Sequence, residues 1–341
     1  MRDHQLQSPR DPLKTAIAEE SIKSYDHQSI ASSLRVEMNP ITVVLSGLLL
    51  ASAVAAGSNN AARRRNPYSS GSDSSEEYNR YSGSMYRPQQ QQQQQGKYAN
   101  QAVYGNFPVT FDARDYWAQC PSVGRVPDQG CCDSSYALVP TAVMTDRTCI
   151  ATNSSNMVFS AFDVISCCAD CPIYQKDKCR GGDPVAVWKY WNKVGIVNED
   201  CLPYTFTNSC IGQDCPIRCV PGASGTVAFN KKKGLEYYTV MPNVQQIQNE
   251  IFKNGPVEAS IDMFLDFATF SGEGVYIHRN GPYLNKHSVK IIGWGNYNET
   301  PYWLIVNTFG HGWGDEGIAK ILRGQNHLNI ETSVRAAMPN Y

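Results

Sequence analysis

Between Asn243 and Gly255 the apolar residues Val244, Ile247, Ile251 and Phe252 recur at helical spacing, behind an asparagine and ahead of a glycine. That pattern predicts an amphipathic helix with Asn243 as N-cap and Gly255 as its stop. The run DPVAVWKYWNKVG (183–195) predicts a second helix ending at Gly195. A third, less periodic stretch carries Ala137, Ala142 and Val143 and is expected to end at Asp146–Arg147. Further along, the pattern changes. HSVKIIGWG (287–295), PYWLIVN (301–307) and GIAKILRG (317–324) are short apolar or alternating runs parted by Gly, Asn and Pro, which predict strands. The expected fold class is therefore α+β. A helical half runs to about Cys219, and a β half follows the Gly/Pro-rich joint CVPGASGT (219–226).

Upstream of Phe107 no such periodicity exists. Residues 57–105 are a Ser/Tyr/Arg mixture with seven glutamines, Gln89 to Gln95, and little Leu, Ile, Val or Phe. Such a segment buries too little apolar surface to offset chain entropy and reads as a disordered linker over 56–106. Ahead of it, Met38 opens an apolar run that ends in Ala53-Val54-Ala55, the small-residue pattern of an export signal over 38–55. The run is short for a stable membrane span. Translation begins at Met38, or residues 1–37 form a cytoplasmic extension of a signal anchor; their lack of any fold signal favours the first.

Composition narrows the function. Of 341 residues, 30 are Lys or Arg and 31 Asp or Glu, a net charge of -1, so nothing points to nucleic acid. All twelve cysteines lie between Cys120 and Cys219. That clustering reads as a disulfide framework formed in an oxidising compartment. Cys168 and Cys171 have C-x-x-C spacing, but no second pair sits at finger spacing, so no metal is expected. No cofactor is expected either. Asn153 and Asn298 head glycosylation sequons.

The candidate chemistry lies in VPDQGCCDSSYALVPTAV (126–143) and in later motifs. These are FDAR (111–114), DQG (128–130), CRGG (179–182), NGPVEAS (254–260), HSVKIIGWG, PYWLIVNTFGHGWGDEG (301–317) and KILRGQNH (320–327). In this order, residues 107–341 resemble the papain family of cysteine peptidases, cathepsin B most closely. The resemblance implies a two-lobed, disulfide-rich fold, a helical lobe facing a β-barrel-like lobe across a cleft. It implies Gln129 as side-chain donor of the oxyanion hole, His287 as general base and Asn307 as the residue orienting it. It implies Trp313 as the aromatic shielding that pair, and Gly181 and Gly182 as the backbone that pairs with extended substrate.

Six residues after Gln129, at the nucleophile position, stands Ser135. A thiol and an imidazole can rest as thiolate and imidazolium, whereas a serine hydroxyl must be deprotonated during attack. Neighbours depart too: Asp133 replaces a glycine, Pro140 interrupts the following helix, and Thr308-Phe309 stand where the family has Ser-Trp. Ser135 at a helix start also reads as a capping residue. Similar Cys-to-Ser replacement occurs in the tubulointerstitial nephritis antigen group, basement-membrane proteins with a cathepsin B-like domain, whose upstream cysteine-rich module has no counterpart here.

The cathepsin B resemblance further implies the pairs Cys120–Cys149, Cys132–Cys179, Cys167–Cys215, Cys168–Cys171 and Cys201–Cys219. Cys131 and Cys210 have no partners in that pattern; our hypothesis is that they bond to each other, the alternative being a free thiol near the cleft. The segment from Cys201 to Cys219 is too short for the His-bearing occluding loop of cathepsin B. The expected function is a secreted, or else lysosomal, catalytically inactive homologue that binds peptide or protein in a remnant cleft or acts in the extracellular matrix. The alternative is a peptidase that uses Ser135 with His287.

Overall fold

The computed structural model describes residues 103–104, 107–206, 210 and 213–340. The extension 1–37, the signal-like segment 38–55 and the linker 56–106, apart from Val103–Tyr104, lie outside the described residues.

In chain order the elements that build the site begin with strand β1 (Phe111–Asp112) and helices α1 (Ser135–Thr152), α2 (Ala161–Cys167) and α3 (Pro184–Lys193). Strand β2 (Tyr238–Thr239), helix α4 (Val244–Asn254) and strand β3 (Val257–Phe264) follow. The last are β4 (Val275–Tyr276), β5 (Tyr283–Tyr297), β6 (Thr300–Val306), β7 (Ile318–Leu322) and β8 (Val334–Ala336). The strands form one sheet in the order β2-β8-β3-β5-β6-β7-β4, with β1 beside β5. All its pairings are antiparallel except β4 against β7.

Local chemistry explains the two helices with clear punctuation. Asp183 accepts from the Val185 N–H ahead of Pro184, and α3 is followed by Gly195 at φ +95°. Asn243 accepts from the N–H groups of Gln245 and Gln246, and α4 stops at Gly255. There φ is +102°, a backbone conformation that favours glycine. The β5–β6 hairpin turns through Asn298–Glu299, both left-handed, as a two-residue turn matching strand twist demands.

Helix α1 corrects the expected boundary. It runs past Asp146–Arg147 to Thr152, with Pro140 inside it. Those two charges do not mark a solvated end. Asp146 pairs with Lys290 at 2.8 Å and Arg147 with Glu250 at 2.9 Å, all four side chains essentially buried. A buried charge is tolerated only when paired and hydrogen-bonded, and Arg147 also donates to the carbonyls of Gly255 and Pro256.

Two hydrophobic cores result. One joins the sheet to α4 and includes Trp294, Trp303, Ile251 and Ile291. The other lies among α1, α2 and α3 and includes Phe162, Trp188, Trp191 and Phe206. Helix α1 belongs to both: Tyr136, Ala137 and Val143 pack into the helical core, Cys149 and Ile150 into the sheet core. The two lobes of an α+β fold thus share one helix, whose N-terminus opens between them. Six disulfides staple the described residues: the five pairs the resemblance implied and Cys131–Cys210.

Candidate active site

The loop before α1 and the strands after it bring the singled-out residues to one place. Ser135 is the first residue of α1 and buried. His287 lies on β5, where it pairs in register with Ile261 of β3. Asn307 follows β6 directly. Lys290, three residues beyond His287, holds Asp146 of α1, so the ion pair fixes how the helix sits on β5 and hence how Ser135 meets His287.

The imidazole is held from one side only. Asn307 Oδ1 lies 2.7 Å from His287 Nε2 and also accepts from the Thr308 N–H at 2.8 Å. An oxygen that faces two nitrogens accepts from both, so Nε2 carries the proton and Nδ1 is the bare acceptor. Nδ1 is buried and has no partner among the described residues. Burial, only partly offset by the bond to Asn307, pulls the His287 pKa from 6.5 down to about 4, so the ring is neutral near pH 7.

Ser135 faces elsewhere. Its Oγ accepts from the backbone N–H of Ser288 at 3.3 Å. Capping is not its role: Ser134 is the N-cap residue, and its hydroxyl bonds Tyr204 Oη at 2.6 Å rather than the helix backbone. The correction has a simple cause. Tyr204 also donates to the Gln129 carbonyl at 2.9 Å, so Ser134 is recruited to the loop that carries Gln129.

Gln129 is fixed at both ends. Its N–H donates to the Thr308 carbonyl at 2.8 Å, and its Oε1 accepts from the Thr308 hydroxyl at 2.7 Å. With the amide oxygen occupied, the amide NH2 is the group left to donate.

The aromatic cover differs from the expectation. The ring against His287 is Phe309, with centroids 4.8 Å apart. Trp313 packs behind it, 6.0 Å from Phe309 and 4.9 Å from Phe267, and donates from Nε1 to the Phe267 carbonyl. Phe309 follows Asn307 by two residues and could have been found from that spacing. Trp313 supports the cover without touching the imidazole.

On the helical side Gly182 must be glycine, because a Cβ there would lie 2.2 Å from the Tyr136 ring. The Gly181 carbonyl is taken by the Ile173 N–H, whereas Gly182 makes no backbone hydrogen bond among the described residues. Asp133 sits between these glycines and β5. The Cys132–Cys179 disulfide and the Asp133 N–H bond to the Cys179 carbonyl hold it there. Its Oδ2 accepts from Asn285 Nδ2 at 3.1 Å, a bond from one lobe to the other. Burial raises its pKa from 3.8 to about 6. A cavity of about 30 Å³ remains, lined by Asp133, Ser135, Gly181, Gly182, His287 and others.

The profile of the papain family cysteine proteases matches residues 107–338. A gut-specific cysteine proteinase of Caenorhabditis elegans is 36% identical over 252 residues, 69% of this chain and 75% of the relative. A cathepsin B-like cysteine proteinase of Schistosoma japonicum is 35% identical over 254 residues, 68% of this chain and 73% of the relative. The solved structure of proCathepsin B S9 from Trypanosoma congolense superposes with a TM-score of 0.64 at 31% identity, covering 75% of this chain and 82% of that one. A Carica candamarcensis cysteine protease, CMS1MS2, shares the fold, with a TM-score of 0.55 at 23% identity.

Proposed function

Because the chain belongs to the papain family of cysteine proteases, we propose that it is a catalytically disabled member that holds a peptide or protein segment in its cleft without cutting it. Ser135 stands, on this reading, where relatives carry the nucleophilic cysteine. One observation carries the reading: the Ser135 hydroxyl bonds Ser288 N–H, while the buried Nδ1 of His287 faces no donor. Nucleophilic catalysis proceeds through hydrogen-bond contact between those two groups.

The electrostatics agree. A thiolate–imidazolium pair rests charged before substrate arrives. Here the imidazole is held neutral by burial, with its pKa near 4, and its orienting partner Asn307 is itself neutral. A serine would need that weak base to take its proton during attack, with no carboxylate to stabilise the imidazolium. Loss of a nucleophile typically costs several orders of magnitude in rate.

What survives is the means of holding a chain. Gly182 has an unpaired backbone among the described residues and lines the cavity with Ser135, and the Gln129 amide has a donor to spare, which gives extended peptide backbone partners. Six disulfides and exposed sequon asparagines, Asn153 and Asn298, suit a secreted or lysosomal protein and a role in the extracellular matrix. Among the described residues no helix is long and apolar enough to cross a membrane.

A second reading rests on the intact His287–Asn307 pair and the oriented Gln129: a slow peptidase using Ser135. Peptide-amide hydrolysis by the purified chain and its Ser135→Cys variant separates the two. We expect a silent native protein and measurable turnover by the variant. Turnover by the native protein that disappears in Ser135→Ala would replace our reading with the second one.

A further inference from the structure

Two acceptor side chains that line the cavity beside Ser135, His287 and Asp133, are short of donors. His287, only 2% exposed, presents an Nδ1 with no partner. The Asp133 carboxylate accepts from Asn285 alone and forms no ion pair among the described residues. Asn285 lies two residues before His287, on the same face of β5, and its Oδ1 is buried without a donor as well. The lysine on that wall does not neutralise Asp133, for Lys286 pairs with Asp262. Arg180, next to the glycines, lies 3.9 Å from Asp177 and over the Tyr174 ring.

We infer that this cavity is a receptor for a primary ammonium group, carried by a lysine side chain or by a peptide N-terminus, with Asp133 as counter-ion and His287 Nδ1 as acceptor. The inference rests on the proposed peptide-holding cleft and names what that cleft selects. An ammonium has three donors and no acceptor, the complement of these walls. The cavity, about 30 Å³, is small, and the compact ammonium head suits it better than the broad planar guanidinium. A carboxylate held away from water gains most from a cation that enters with it, since charge-assisted bonds strengthen as dielectric falls. Asp133 still ionises below neutral pH, so it is anionic when a lysine arrives.

The test is calorimetric titration of the purified native chain at pH 7.5 with four peptides: Ac-Ala-Ala-Lys-Ala-NH2, its norleucine analogue, its arginine analogue, and the norleucine peptide with a free N-terminus. We expect the lysine or the free-amine peptide to bind at least about tenfold tighter than acetylated norleucine, the size of one charge-assisted hydrogen bond. Which of the two gains identifies the source of the ammonium. Asp133→Asn, which keeps the bond from Asn285, should reduce the preference to within about twofold. Equal binding of all four peptides by the native chain overturns the ammonium site but leaves the peptide-holding cleft standing. An arginine preference overturns the choice of ammonium over guanidinium. Binding of none overturns the cleft reading and the ammonium site with it. The native series decides these outcomes even if the variant fails to fold.

Discussion

The two walls of the cleft have fared differently. On the β wall, His287 and Asn307 retain a 2.7 Å bond, a buried position and an aromatic cover from Phe309. On the helical wall, the Ser135 hydroxyl accepts from a backbone N–H, and an aspartate with a raised pKa lines the cavity beside it. The difference teaches which parts of a site the fold itself needs. Asn307 Oδ1 accepts two bonds in the core, and removing it would orphan two buried donors. Nothing in the fold depends on a thiol at 135. On the proposed reading a serine there costs function, and its single long bond to Ser288 N–H predicts little effect on stability.

The largest expected effect comes from the link between the walls. Lys290→Met leaves Asp146 charged and unpaired in the interior, and should cost about 3–5 kcal/mol by urea denaturation. It should also weaken any turnover seen in Ser135→Cys, because α1 loses its anchor on β5. A smaller loss would mean that water reaches Asp146.

Asp133→Asn should stabilise the protein by up to about 3 kcal/mol at pH 7, with the sign set by linkage. A carboxyl whose folded pKa is raised from 3.8 to about 6 binds protons more tightly when folded, so its contribution worsens as pH climbs through that window. The gain should therefore vanish below pH 4. His287 acts in the opposite sense. Its folded pKa is depressed from 6.5 to about 4, so stability is lost as pH falls between those values. In the native protein the two slopes oppose each other, and the Asp133→Asn variant should show the histidine's acid sensitivity uncovered. Thermal melts of both proteins from pH 3.5 to 8 read this directly.

Asn307→Ala should cost about 2 kcal/mol by leaving His287 Nε2–H and the Thr308 N–H without an acceptor. The smallest effect belongs to Ser135→Ala, below about 1 kcal/mol, since only one long bond to Ser288 N–H is lost. A large destabilisation there would mean that Ser135 is structural and that the walls are not as unequal as described.

Much of the site was legible in the chain. Gln129, Ser135, His287 and Asn307 were all marked by motif; in the structure His287 bonds Asn307, Gln129 bonds the neighbouring Thr308, and Ser135 meets Ser288, the residue after His287. The cover over His287 was misassigned to Trp313, although Phe309 lay two residues from Asn307; only ring positions separate two aromatics so close in sequence. Asn285 was missed, yet alternation along β5 puts it on the face that His287 occupies.

The amino-acid sequence by itself determined the elements whose signals are local. The caps at Asp183 and Asn243, the stop at Gly255 and the strand runs at 287–306 depend on residues within a turn or two of one another. Tertiary structure alone decided that Asp146 and Arg147 lie inside α1 rather than at its end, because their partners are 144 and 103 residues away. It also decided that the Ser135 hydroxyl meets Ser288 N–H, 153 residues on, and not the imidazole next to it. Which way a buried hydroxyl turns depends on every donor around it, and those donors come together only when the lobes close on α1.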